Sequence, residues 1–124
     1  MSDSNPLAFI IDDNRDITEL FATSLQAADF ETETFVEGGA ALKRLQESTP
    51  SVIVLDLHLP DIPGMEILET IRTDDRLRGS RVIVVTGEQQ MSKSVERMAD
   101  LVLLKPISFD QLRDLARRLR PTGT

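Results

Sequence analysis

Short apolar runs recur along the chain at Leu7–Ile11, Val52–Leu55, Val82–Val85 and Leu101–Leu104, and a weaker alternating run, ETETFV, covers Glu31–Val36. Continuous runs of this length suit strands buried on both faces, whereas alternation suits an edge strand with one wet face. Between the runs the apolar spacing turns helical. Ile17, Leu20, Phe21, Ser24, Leu25 and Ala28 form one stripe of a helix. Ala41, Leu42 and Leu45 form a shorter stripe opened by Gly38-Gly39, and Met65, Leu68 and Ile71 a third. Phe109, Leu112, Leu115, Ala116 and Leu119 make the last, with Ser108 and Gln111 spaced as a capping box, Ile107 and Leu112 as a hydrophobic staple, and Pro121 as a stop. The stretch from Thr86 to Asp100 holds only Met91, Val95 and Met98 at helical spacing. Strands alternating with helices predict an α/β fold, with a parallel sheet, helices on both faces and right-handed crossovers.

Composition narrows the classes. A chain of 124 residues, 40% of them hydrophobic, fits one domain with a core that needs no covalent staples. There is no Cys, so thiolate and disulfide chemistry are absent. The longest apolar run is far too short to span a bilayer, and MSDSNP does not begin as a signal peptide does, so no membrane role is expected. A net charge of -7, with no Trp or Tyr, argues against a nucleic-acid surface.

In open parallel sheets the working site lies at the carboxyl ends of the strands. The first strand ends in Asp12-Asp13, the third in Asp56, the fourth in Thr86-Gly87 and the fifth in Lys105-Pro106. Each has a bland reading. Acids before a helix suit its dipole, a lone Asp after a strand is a turn residue, and a Lys is ordinarily a solvated charge. His58 is the only His, so it reads as a loop residue rather than a side-chain metal ligand. The conjunction changes the balance. Three crowded carboxylates repel and raise one another's pKa values unless a cation joins them, and all-oxygen ligands suit Mg²⁺. A carboxylate beside Mg²⁺, a Lys and a Thr hydroxyl is suited to accepting a phosphoryl group.

IIDDN, LDLHLPDIPG, VVTG and LVLLKP, in that order and spacing, resemble the signatures of the response-regulator receiver domain. Pro60 and Gly64 stand four and eight residues after Asp56, and Thr86 thirty after it. The resemblance implies a flavodoxin-like (βα)5 three-layer sandwich with strand order 2-1-3-4-5, a single domain over 1–124 with its core at about 7–119. It implies Asp56 as the phosphoacceptor, Thr86 as the switch hydroxyl and Lys105 as the phosphoryl contact, with a cis bond to Pro106. Mg²⁺ would be bound directly by Asp13 and Asp56, by Asp12 through water and by the backbone carbonyl of His58. Gly87 would leave the phosphoryl site open. Asp56 is expected to be exposed at its strand tip, with the Pro-rich loop behind it fixing the His58 carbonyl.

The implied reaction is phosphoryl transfer from the phosphohistidine of a sensor histidine kinase or phosphotransfer protein, followed by hydrolysis. The chain would be a cytoplasmic two-component signalling domain rather than an enzyme proper, acting on a downstream protein or on an output domain beyond its end; PTGT reads equally as a natural end or the beginning of a linker. The basic end of the last helix (Arg113, Arg117, Arg118, Arg120) reads mainly as a solvated face. Two departures stand out. Val102 occupies the position, three before Lys105, where similar domains carry Tyr or Phe, and Thr86 and Lys105 are about three residues closer than usual. The fourth helix should therefore be short or irregular. Other classes fit less well. A haloacid-dehalogenase-type phosphatase would need an Asp where His58 stands. A flavodoxin-like FMN carrier would need a Ser/Thr/Gly-rich loop in place of DDNRD. A degenerate receiver serving only as a binding module would not need the intact Asp12, Asp13, Asp56, Thr86 and Lys105.

Overall fold

The computed structural model describes residues 5–90 and 92–121. Readings placed on residues 1–4, on Met91 and on the end beyond Pro121 fall outside them. Eleven elements alternate along the chain: β1 (Leu7–Ile11), α1 (Arg15–Ala27), β2 (Glu31–Phe35), α2 (Gly38–Leu45), β3 (Val52–Asp56), α3 (Gly64–Thr73), a 3-10 turn (Asp75–Leu77), β4 (Arg81–Thr86), α4 (Lys93–Met98), β5 (Leu101–Leu104) and α5 (Phe109–Leu119). All strand pairings are parallel, in the order β2-β1-β3-β4-β5, the order that the sequence resemblance implied. The order reverses between β1 and β3, which places a crevice at their carboxyl ends.

Alternation along the central strands builds two cores. Ala8, Ile10, Val52, Val54, Ile83 and Val85 face α1 and α5. Phe9, Ile11, Ile53, Leu55, Val82 and Val84 face α2, α3 and α4. Successive side chains on a strand point to opposite faces, so a continuous apolar run feeds both layers at once. β2 is the edge strand that its alternation predicts.

Three readings are corrected. Leu20 sits on the expected buried stripe of α1 but is 41% exposed, because the stripe drifts around the helix and Phe21, Ser24 and Leu25 take the inward positions. β5 is only partly buried, with Leu104 at 48% exposure, because it is the other edge of the sheet. The Ser108 hydroxyl accepts from Gln111 N at 3.0 Å, half of a capping box, while Ile107 and Leu112 meet in the core as the staple requires. The fourth helix is six residues long and has Val95 as its one buried residue, as the shortened connection predicts. No described helix is long and apolar enough to cross a membrane.

Candidate functional site

Pairing between β1 and β3 sets Ile11 against Leu55, so the next residues, Asp12 and Asp56, leave the sheet side by side. One carboxylate oxygen from each of Asp12, Asp13 and Asp56 lies within 4.8 Å of the others. Asp12 is buried, Asp13 exposed. Lys105 reaches in from the end of β5, its Nζ 3.0 Å from Asp12 Oδ2 and 3.4 Å from Asp56 Oδ2. Only the Asp56 contact has the alignment of a hydrogen bond, so Asp12 Oδ2 is buried with no aligned donor among the described residues. Two buried carboxylates thus share one ammonium, with the exposed Asp13 beside them.

Asp56 itself is 4% exposed. This corrects the expectation of an exposed carboxylate: Lys105, Asp12 and the loop behind β3 enclose it. Its Oδ1 accepts from the His58 N–H at 3.1 Å. Burial pushes the Asp56 carboxyl up from its ordinary range, and the Asp12 charge adds to that, against the opposing pull of the His58 N–H and Lys105. Burial draws the Lys105 ammonium down, but the two carboxylates outweigh it and leave its pKa raised.

Thr86 ends β4 fully buried, and its hydroxyl accepts from the Glu88 N–H at 3.1 Å. Of the five carboxylate, hydroxyl and ammonium residues read from the sequence, four meet directly, and Thr86 flanks them from the neighbouring strand. The His58 side chain pairs with Glu88 Oε1 at 3.0 Å, both groups more than half exposed. The Lys105–Pro106 bond is cis, as the resemblance implied, and a side chain at Gly87 would meet nothing within 4 Å.

The β3–α3 loop explains the spacing of its Gly. A Cβ on Gly64 would lie 2.5 Å from Leu57 Cα and 2.7 Å from the Asp56 carbonyl oxygen. The loop therefore closes back on its own start, with Gly64 N–H donating to the Leu57 carbonyl at 3.0 Å. Pro60 and Pro63 stiffen the path between. Two residues that the sequence did not single out hold the surroundings. Asp61 accepts from the N–H groups of Gly38 and Gly39. Arg72 donates to the carbonyls of Met98 and Ser80 and to Asp100. Neither had a signal beyond a lone charge, because their partners lie more than seven residues away in sequence.

Comparison with known proteins gives a consistent picture. Residues 8–117 match the family described as the response regulator receiver domain. The phosphate regulon transcriptional regulatory protein PhoB of Rhizobium meliloti (strain 1021) is 28% identical over 123 residues, covering 94% of this chain and 54% of that protein. The chain spans about half the length of the curated relative it matches there. Among solved structures, the chemotaxis response regulator CheY4 of Vibrio cholerae superposes with a TM-score of 0.85 at 24% identity, over 93% of this chain and 98% of that one, a likeness of fold. The response regulator TrrA of Thermotoga maritima, solved in complex with Mg²⁺-BeF, gives a TM-score of 0.80 at 26% identity, over 92% and 98%.

Proposed function

The chain belongs to the response regulator receiver domain family of two-component signalling, and from that premise we propose that it accepts a phosphoryl group on Asp56 in the presence of Mg²⁺ and changes shape in response. The observation that carries this reading is the pairing of buried Asp56 with Lys105, beside a buried Asp12 oxygen that has no aligned donor. Lys105 Nζ, 3.0 Å away, offers that oxygen one positive charge, but one ammonium beside three clustered carboxylates leaves net negative charge for a cation to answer, and the donor set is all oxygen, which suits Mg²⁺. Asp13 and Asp56, Asp12 through water, and the His58 carbonyl are the groups that would hold the ion. TrrA, which superposes closely, was solved with Mg²⁺-BeF. Bound there, the ion supplies positive charge against phosphoryl oxygens.

The chain's own residues do the rest. An Asp56 carboxylate oxygen attacks phosphorus, the bond from phosphorus to the donor's imidazole nitrogen breaks, and the imidazole leaves and takes a proton. The raised affinity of buried Asp56 for a proton reflects a poorly solvated charge, and a poorly solvated carboxylate is the stronger nucleophile when ionised. Lys105 holds one Asp56 oxygen and stays charged, so its ammonium is available to the incoming phosphoryl oxygens. The His58 N–H fixes the other oxygen. Thr86 turns its hydroxyl from the Glu88 N–H to the phosphoryl group, and that exchange starts the change in the β4–α4 segment. Hydrolysis returns the carboxylate and releases inorganic phosphate.

The reading extends to the chain's setting. It is one receiver domain over residues 1–124 with its core at about 7–119, it works in the cytoplasm, and its partners are proteins rather than nucleic acid or membrane. It is a signalling domain whose only chemistry is this self-phosphorylation and its reversal. The donor is a sensor histidine kinase or a phosphotransfer protein, and the output is a downstream protein or a further segment of the same protein. The test is intact-mass spectrometry after incubation with acetyl phosphate. One phosphoryl group is expected in wild type with Mg²⁺, and none with EDTA or in Asp56→Asn. Labelling that survives EDTA, or an equally labelled Asn variant, would show another acceptor.

A further inference from the structure

We propose that Asp61 is a positioning residue for the Mg²⁺ site, clamping the loop that carries His58 onto the first turn of α2; the inference rests on the function proposed above. The first N–H groups of a helix have no partner inside it, and the N-cap of α2, Glu37, offers no side-chain bond. Asp61 supplies the acceptors instead. Its Oδ1 accepts from Gly38 N at 2.9 Å and its Oδ2 from Gly39 N at 2.8 Å, across more than twenty residues of sequence.

The paired glycines are what let the loop come so close. A Cβ on Gly38 would stand 2.9 Å from Ile67 Cδ1 and 3.3 Å from Ile62 Cβ, and one on Gly39 would stand 3.2 Å from Asp61 Oδ2. The loop from Leu57 to Pro63 is therefore tied twice: at its base by Gly64 N–H to the Leu57 carbonyl, and near its tip by Asp61. His58 lies between the two ties. Asp61 and His58 also line one open cleft together with Asp13. Both Asp61 oxygens are committed to α2, and Asp61 stands outside the acid cluster, so it acts on the ion only through the loop. Groups that orient a ligand without touching the metal commonly govern affinity as strongly as ligands do.

The test is Mg²⁺ titration by calorimetry of the full chain as wild type, Asp61→Ala and Asp61→Asn, followed by acetyl phosphate labelling at saturating Mg²⁺. The Mg²⁺ Kd should rise roughly tenfold in Asp61→Ala, the lower end of the usual effect of such partners, and less in Asp61→Asn, which keeps one acceptor. Labelling at saturating Mg²⁺ should return close to the wild-type rate, since the reacting groups are intact. A Kd unchanged in both variants, or a rate still depressed at saturation, overturns the clamp. Should Asp61→Ala fail to fold, Asp61→Asn and Gly39→Ala, whose added Cβ crowds Asp61 Oδ2, decide by the same readings. A wild-type chain that bound no Mg²⁺ would overturn the proposed function and the clamp together; wild-type binding with unaffected variants overturns the clamp alone.

Discussion

Two segments leave neighbouring strands and flank the same carboxylates, yet they are held very differently. The loop after β3 is anchored at base and tip, contains Pro60 and Pro63, and feeds α3, ten residues long with Gly64, Ile67, Leu68 and Ile71 buried. The segment after β4 leads through exposed residues 87–90 to α4, six residues long and anchored in the core by Val95. Its start is tied by the Glu88 N–H to Thr86 and by the Ser92 cap on Val95 N, and its end by Arg72 on the Met98 carbonyl. On the function proposed here, position matters on the first side, where the His58 carbonyl and the Asp56 carboxylate would have to be fixed. On the same proposal the second side is the one that changes shape, and segments that move are drawn from the least stable parts of a fold.

The largest effect is expected from breaking the rigid side. Gly64→Ala puts a methyl group against the backbone of Leu57 and Asp56, atoms that cannot swing away. It should cost about 3 kcal/mol of stability in urea unfolding, with loss of labelling at Asp56 because the carboxylate's own backbone is displaced. Unchanged stability would mean that the loop has slack.

On the loose side, Val95→Ala removes the one buried side chain of α4, leaving the half-buried Met98 as its remaining apolar contact with the core. Burial of the lost carbons is worth about 1.5 kcal/mol, but the helix opens locally, so the global unfolding midpoint should move by less than that. Amides of Lys93–Met98 should lose protection from hydrogen exchange while α3 keeps its own. Equal loss in both helices would make the two sides one cooperative unit.

Much of this was legible in the chain. The apolar runs give the strands and their alternating faces the two cores; the order of IIDDN, LDLHLPDIPG, VVTG and LVLLKP gives the acid cluster and Lys105. The short fourth helix follows from the shortened connection between Thr86 and Lys105. What was not legible depends on long-range geometry. Asp56 reads as a tip residue and is buried, because the groups that enclose it come from β1, β5 and the following loop. Leu20 fits the α1 stripe yet faces water, since periodicity does not say how wide a neighbour's footprint is. Gly38-Gly39 reads as a helix opening; that it makes room for Asp61 appears only when residues more than twenty apart meet.

The smallest predicted effect is a pH dependence at that clamp. The two glycine N–H groups hold the Asp61 carboxyl below its ordinary value of 3.8. A depressed native pKa means that the unfolded chain binds the proton more readily, so the contribution is present above the unfolded pKa and fades as pH falls through the native one. Wild type should melt slightly above Asp61→Asn at pH 6, with the gap closing below about pH 4, near the unfolded carboxyl range. A gap that persists in strong acid would assign the effect to packing.

Hydrogen exchange compared between the free chain and the chain carrying Mg²⁺ and beryllofluoride tests the contrast most directly. New protection is expected across Glu88–Gln90 and Lys93–Met98, as the β4–α4 segment orders around Thr86, with little change in α3 and no response centred on Val102, a β-branched residue with little room to toggle. Equal exchange in both forms, or a change confined to Val102 and its strand, would contradict it.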